Sequence, residues 1–439
     1  MKKRASEIIQ KLRQSGHQAY FAGGCVRDYL RGVTPKDFDI ATSARPDDIL
    51  QIYPDGNTIG AHFGVILIRH QKWDFEIATF RADGESSNGR HPDQVTFTDA
   101  KEDAKRRDFT INGMFFDPVE EKIIDYVGGQ EDLEKGLIRA IGDPELRFAE
   151  DYLRLMRAIR FATVLDFEIE KNTWQALKQH APQITQISPE RIRDELNRIW
   201  LSPRRVKGFD LLVESGLMKA IFPEIIHLQG CEQPPQFHPE GDVFIHTRLM
   251  LSLLPDEVDS LPLILSVLFH DIAKPATQTF DEADQRIRFN GHDRLGAEMT
   301  ADILRRLRYK NDIIDDATIA VKHHMSFINV QDMRTAKLKR MMARPTFNDE
   351  LELHRVDCLG SNGLLDNYEF IQQKETEFSA EPLIPPPLVS GNDLKELGWK
   401  PSPAMGEVLL QIQDQQLESK LNTREEALQW VKENLTPPT

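Results

Sequence analysis

The sequence predicts an α+β protein in which a small α/β head is followed by an extended all-α body. Three observations carry that expectation. Up to about residue 140, short runs of β-branched and aromatic residues alternate with helix-like pieces. From about Pro144 onward, apolar residues recur at three- and four-residue spacing. Near the end, "EPLIPPPLVSG" is a proline-rich break that sets off a helical tail. The expected segments are 1–140 for the head, 141–200 for a helical neck, 201–380 for the body and 381–439 for the tail. There is no internal repeat and no low-complexity tract.

Taken in order, "MKKRASEIIQKLRQSGHQ" has a basic start with no apolar core behind it. It reads as an amphipathic helix with Ile8, Ile9 and Leu12 on one face, not as a secretory signal. "QAYFAGG" reads as a strand running into a glycine turn, and "FGVILIRHQKWDFEIATFR" as two strands joined at His70–Lys72. "EDYLRLMRAIRFATVL", "ERIRDELNRIWL", "LILSVLFHDIA" and "GAEMTADILRRLRYK" are helices by their periodicity. No apolar run approaches the ~20 residues of a membrane span, so no membrane partner is expected. Three scattered cysteines, Cys25, Cys231 and Cys358, give no disulfide framework and fit a reducing cytoplasm.

The net charge of −15 argues against indiscriminate coating of nucleic acid, because the phosphate backbone is itself anionic. Local basic strips remain for phosphate contacts in "SPRRVK" (Arg204, Arg205, Lys207), "RRLRYK" and "RTAKLKR".

The chemistry begins in "GGCVRDYLRGVTPKDFDIAT". Asp37 and Asp39, two apart on a strand, point to the same side. Two carboxylates held together repel unless a cation sits between them, and hard oxygen ligands suit Mg²⁺. Glu76, on a neighbouring strand, adds a third. Such a trio can hold two Mg²⁺ ions for in-line displacement at phosphorus. Gly23 and Gly24 offer side-chain-free backbone to a triphosphate, Arg27 can contact phosphate, and Asp28 can orient the loop.

These residues resemble the signature of class II tRNA nucleotidyltransferases and bacterial poly(A) polymerases, in the polymerase-β-like superfamily. "RRDFTIN", "DYVGGQEDL", "EDYLR" and "ERIRDEL" are similar, in order, to further motifs of that family. The resemblance implies a polymerase-β-like nucleotidyltransferase head with Asp37, Asp39 and Glu76 as its catalytic carboxylates. It implies Arg107 on phosphate, Asp108 and Asn112 near the ribose, and CTP, ATP and tRNA as partners. Arg157 is grouped with the nucleotide-binding residues, and Arg106 is expected to be exposed.

Asp151 and Arg154, three apart on a helix, are expected to share a face. A carboxylate accepts from the exocyclic amine of cytosine or adenine, and a guanidinium donates to the adjacent ring nitrogen. Uracil and guanine reverse that order, and each unpaired buried group costs ~1–3 kcal/mol. The pair can therefore select CTP and ATP without a template, with Glu150 bracing Arg154. In isolation the same spacing is an ordinary surface salt bridge of little energetic weight. The glycine-rich stretch between Arg81 and Phe97 occupies the place where the family carries a flexible loop needed for adenosine addition. It favours full CCA or A-only addition.

The helical half contains "FIHTRL", "LFHDIAKP", "FNGHDRLGAE", "AVKHHMSF" and "HRVDCLGSNG". Burying the adjacent His270 and Asp271 costs free energy unless a metal or tight pairing compensates. His246, His292, His323 (or its neighbour His324) and Asp357 complete an ordered ligand set that suits Mn, Fe, Ni, Co or Zn. The order resembles HD-domain phosphohydrolases and implies an HD-type helical domain, with Lys274 near the phosphate. His238 and His354 are left outside the ligand set. The resulting expectation is a tRNA nucleotidyltransferase that adds CCA, with a possible metal-dependent phosphohydrolase behind it. An A-adding enzyme or a poly(A) polymerase is the alternative within the class. A phosphohydrolase with a nucleotide-sensing head is the alternative outside it.

Overall fold

The computed structural model describes residues 1–83 and 95–436, and the chain divides into two compact units, Met1–Pro223 and Glu224–Thr439. The expected head and neck both fall in the first unit, the expected body begins inside it, and the tail lies within the second.

The first unit is built on a six-stranded mixed sheet. Helix α1 (Lys2–Gln14) leads into strand β1 (Ala19–Ala22), which runs through the Gly23 turn into helix α2 (Gly24–Leu30). Strand β2 (Ile40–Thr42) pairs antiparallel with β1, and strand β4 (Trp73–Thr79) pairs parallel with β2 and antiparallel with β3 (Val65–His70). The strands Phe115–Asp117 and Lys122–Ile124 extend the other edge. Ile8, Ile9 and Leu12 of α1 are fully buried against Phe21, Ile40, Ile66, Phe75 and Ile77, so the amphipathic face read from the sequence covers one side of the sheet. The other side carries a smaller core of Ala22, Ala41, Phe80, Ala104 and Phe115, and Asp37, Asp39 and Glu76 are exposed beyond it.

Two helices then form the part expected as a neck. Leu153–Leu165 buries Leu155, Met156, Ile159 and Ala162, ends at Asp166 in the left-handed conformation, and packs on Pro189–Trp200. The second helix starts with proline at its first position, where no backbone N–H is needed.

The second unit is helical. The helix Leu261–Phe269 is apolar almost all round, is capped by the Ser260 hydroxyl, and is buried from Leu263 to Phe269. Around it lie Val243–Leu253, His292–Arg306, Asn311–His323 and Phe347–Gly360. A small hairpin, Thr279–Asp281 with Arg286–Arg288, is the strand element of this unit. The last helices enclose their own core of Val389, Leu394, Trp399, Ile412 and Val431. Among the described residues, no helix is long and apolar enough to cross a membrane.

Candidate functional site

Asp37 and Asp39 lie in the extended run that enters β2. Phe38 between them is buried while both carboxylates face outward, so the alternation expected of a strand holds one step before the strand begins. The parallel register pairs Ile40 with Ile77, which sets Asp39 beside Glu76, the residue preceding Ile77. Glu76 is itself exposed between buried Phe75 and Ile77. Lost solvation and the charges of Asp37 and Glu76 push the Asp39 carboxyl up to about 6. This donor set fits a hard divalent cation: mutually repelling carboxylates on an open face, waiting for positive charge.

Gly23 adopts φ 73 and ψ −131, and a Cβ there would stand 3.0 Å from Arg107 Nη1. Its N–H is donated to the Met114 carbonyl, so the backbone donors left near this turn belong to the first turn of α2. Arg27 is buried and donates to Asn112 Oδ1 at 2.8 Å and to Asp28 Oδ1 at 2.9 Å. Asn112 donates in turn to Asp108 Oδ1. Burial alone would raise the Asp108 carboxyl, but the Arg157 guanidinium and three hydrogen bonds hold it at about 2. Arg27, Asp28, Asn112, Asp108 and Arg157 thus form one continuous polar chain.

Two positions differ from expectation. Arg106 is half-buried, not exposed, because Asp103 accepts from its Nε at 2.8 Å. Asp151 and Arg154 do not share a helix face: Asp151 is extended (φ −153, ψ 104) between two helices. Its Oδ1 accepts from the Leu153 N–H, starting the next helix, and its Oδ2 accepts from Arg191 at 3.0 Å. Arg154 is held by Glu150 at 2.6 Å, as the sequence suggested. Asp103, 1% exposed and gripping both Arg106 and Arg107, was missed. Its spacing of three and four residues from the two arginines was the available signal. The glycine-rich loop expected between Arg81 and Phe97 lies at 84–94 outside the described residues, which resume in a strand paired with Arg81–Asp83.

In the second unit, the helices bring six donors together. His246 Nε2 lies 3.1 Å from Asp357 Oδ1, and its Nδ1 lies 2.7 Å from Glu240 Oε1. His292 Nε2 is 3.2 Å from His324 Nε2 and 3.5 Å from Asp271 Oδ1. His324, not His323, is the member of this cluster; His323 is half-buried on the other side of the helix end. His270, His292 and His324 each donate Nδ1–H to the carbonyl three residues back, at 2.9, 2.6 and 2.6 Å. That fixes the tautomer and turns every Nε2 lone pair inward, as metal-binding imidazoles require. His270 Nε2 is buried 3.0 Å from Asp271 Oδ2. Donor groups close enough for a metal form overlapping sets, His246–His270–Asp271 and Asp271–His292–His324, joined at Asp271. Lys274 Nζ contacts Asp271 at 2.7 Å and Gln233 Oε1 at 2.6 Å. His238 donates to Glu240, and His354 stacks on Phe327.

Residues 19–139 match the poly(A) polymerase head domain. Residues 166–228 match the probable RNA- and SrmB-binding site of polymerase A, and 243–352 match the HD domain. The CCA-adding enzyme of Geobacillus thermodenitrificans is 43% identical over 211 residues, 48% of this chain and 52% of that protein. That of Lactobacillus johnsonii is 42% identical over 264 residues, 59% and 65% of the two chains. The chain thus spans about half to two thirds of the length of these curated relatives. The Bacillus stearothermophilus CCA-adding enzyme in complex with CTP superposes with a TM-score of 0.75 at 26% identity, covering 98% of this chain and 96% of the other. The Thermotoga maritima CCA-adding enzyme complexed with tRNA shares the fold, with a TM-score of 0.60 at 20% identity.

Proposed function

We propose that this protein is a tRNA nucleotidyltransferase that rebuilds the 3′-terminal CCA from CTP and ATP without a nucleic-acid template. The observation that carries the reading is the meeting of Asp37, Asp39 and Glu76 on the open side of the sheet. The likeness to named CCA-adding enzymes supports it. Asp37 and Asp39 would hold Mg²⁺, which when bound withdraws charge from the phosphate under attack. Glu76 takes the proton of the tRNA 3′-hydroxyl. Arg27 and Arg107 face the triphosphate, and Asp108 and Asn112 read the sugar while Arg157 fixes Asp108. Arg154, braced by Glu150, donates to the base's ring nitrogen and Asp151 accepts from its amine. Arg191 orients Asp151 for that task.

The test is incorporation of labelled CTP and ATP into three tRNAs: one lacking CCA, one ending in CC, one complete. The reading expects C, C and A on the first, A on the second and nothing on the third. Labelling of the CC-ended tRNA alone, by ATP alone, would make this an A-adding enzyme. Long adenosine tracts on unrelated RNA would make it a poly(A) polymerase.

A second reading applies to the other unit: metal-dependent hydrolysis of a phosphate ester. It is favoured by the convergence of the buried His246, His270, Asp271, His292 and His324, with Asp357 beside His246. The imidazole-rich set suits Mn, Fe, Ni, Co or Zn, any of which supplies Lewis acidity toward a phosphoryl oxygen. Metal analysis of the purified protein, with phosphate release from a small ester before and after chelation, tests it. A metal-free protein that no added metal activates would remove this reading.

A further inference from the structure

Arg27, Arg157 and Arg160 converge on one aromatic ring. Their guanidinium carbons stand 5.2, 5.4 and 4.0 Å from the centroid of Phe161. All fall inside the roughly 6 Å within which a cation is attracted to the negative face of an aromatic ring. Phe161 is 5% exposed, so little water screens that attraction. Phe109 packs on the same ring nearly at right angles, with centroids 5.8 Å apart, and its N–H donates to Asp108 Oδ1.

The convergence follows from the chain. Phe161 lies on the helix Leu153–Leu165, four residues after Arg157 and seven after Arg154, spacings that share one helix face. Arg27 arrives from α2. Cations held this close repel one another, and each has one carboxylate: Asp28 for Arg27, Asp108 for Arg157, Glu195 for Arg160. Even so, burial brings the Arg160 guanidinium down to about 10 against the pull of Glu195. A carboxylate steadies a guanidinium by occupying its N–H groups, which are then lost to a phosphate. A ring face attracts the same cation and occupies none. Asp28 accepts from Arg27 Nε and Nη2, and Asn112 accepts from Nη1. A second hydrogen on each Nη is left for another acceptor.

We infer that Phe161 is a positioning residue for the nucleotide. Its ring holds Arg27 toward the triphosphate and, through Arg157 and Phe109, holds Asp108 toward the sugar. The triphosphate and the ribose are common to CTP and ATP, so the effect falls on both alike and leaves the choice between bases alone. The assignment rests on the nucleotidyltransferase reading for the identity of the substrate, not for the ring's hold on the arginines.

The experiment uses the full chain with Phe161 replaced, by nonsense suppression, with mono-, di- and trifluorophenylalanine. Successive fluorines keep the ring's shape while withdrawing charge from its face. Binding of CTP and ATP is measured by calorimetry with Mg²⁺, and KM and kcat from incorporation into tRNA lacking CCA and tRNA ending in CC. Both Kd and KM should climb stepwise to about tenfold at the trifluoro ring, equally for CTP and ATP, with kcat within about twofold of wild type. Circular dichroism should keep the wild-type helix content throughout. Phe161→Leu, apolar but without a ring face, should match or exceed the trifluoro loss. A flat series overturns the inference, as does one that moves kcat instead of KM or spares one of the two nucleotides. A loss in Phe161→Leu that trifluorophenylalanine does not share also overturns it, because the role is then packing. Graded CTP binding without incorporation into any tRNA sinks the nucleotidyltransferase reading and leaves the positioning role standing. A wild type that binds neither nucleotide overturns both.

Discussion

Replacing Arg157 by methionine removes the main partner of a carboxylate that has almost no access to water. Asp108 is 8% exposed, and Arg157 Nε donates to its Oδ2 at 2.7 Å. The carboxyl falls from 3.8 to about 2. That drop corresponds to about 2.5 kcal/mol of stability at neutral pH. A depressed carboxylate contributes fully above the unfolded value and loses its contribution as pH falls toward the folded one. At pH 3 about half therefore remains. The Phe109 N–H and the Asn112 amide still donate to Asp108 in the variant, which keeps the loss below the roughly 3–5 kcal/mol of an unrelieved buried charge. Urea titrations read by hydrogen exchange on peptides from Leu153–Leu165 should show a loss of about 2–3 kcal/mol at pH 7, shrinking to about half at pH 3. Adding Asp108→Asn should recover at least about 1 kcal/mol, because the stranded charge is gone. A penalty equal at both pH values, or strictly additive losses in the double variant, would refute the ion-pair account.

Gly23→Ala puts a side chain at φ 73, ψ −131, a region open essentially only to glycine, and its Cβ 3.0 Å from Arg107 Nη1. A cost of about 1–3 kcal/mol in the strained turn should raise KM for CTP about tenfold, measured by steady-state incorporation. Gly129→Ala would drive a Cβ to 2.3 Å from the Thr110 carbonyl oxygen. Because backbone must move, calorimetry should show a loss of at least about 1–3 kcal/mol. His270→Ala takes away a buried Nε2 that stands 3.0 Å from Asp271 Oδ2, and elemental analysis should find the bound transition metal reduced to background. Metal content equal to wild type would remove His270 from the ligand set.

The trio of head carboxylates could be read from the sequence because burial alternates with period two: Phe38, Phe75 and Ile77 go inward and Asp37, Asp39 and Glu76 stay out. What no local pattern contains is the register. β2 and β4 are neighbours although β3 lies between them in the chain, and only that parallel pairing sets Asp39 beside Glu76. The helix break at Asp151 was hidden for the opposite reason. "EDYLR" has no proline or glycine, yet an aspartate ahead of an apolar run is a capping residue, and here it captures the Leu153 N–H. His323 and His324 are adjacent at a helix end, where a rotation of about 100° per residue decides which one faces the cluster. Composition carries no trace of that choice. The partner of Arg106 and Arg107, by contrast, stood in plain view as Asp103 at helical spacing.

The most direct measurement is a crystal soaked with Mn²⁺ and CTP, examined by anomalous scattering. The account predicts manganese about 2.0–2.2 Å from carboxylate oxygens of Asp37 and Asp39, bridging to the triphosphate. A triphosphate bound elsewhere, or manganese that ignores both aspartates, would contradict it.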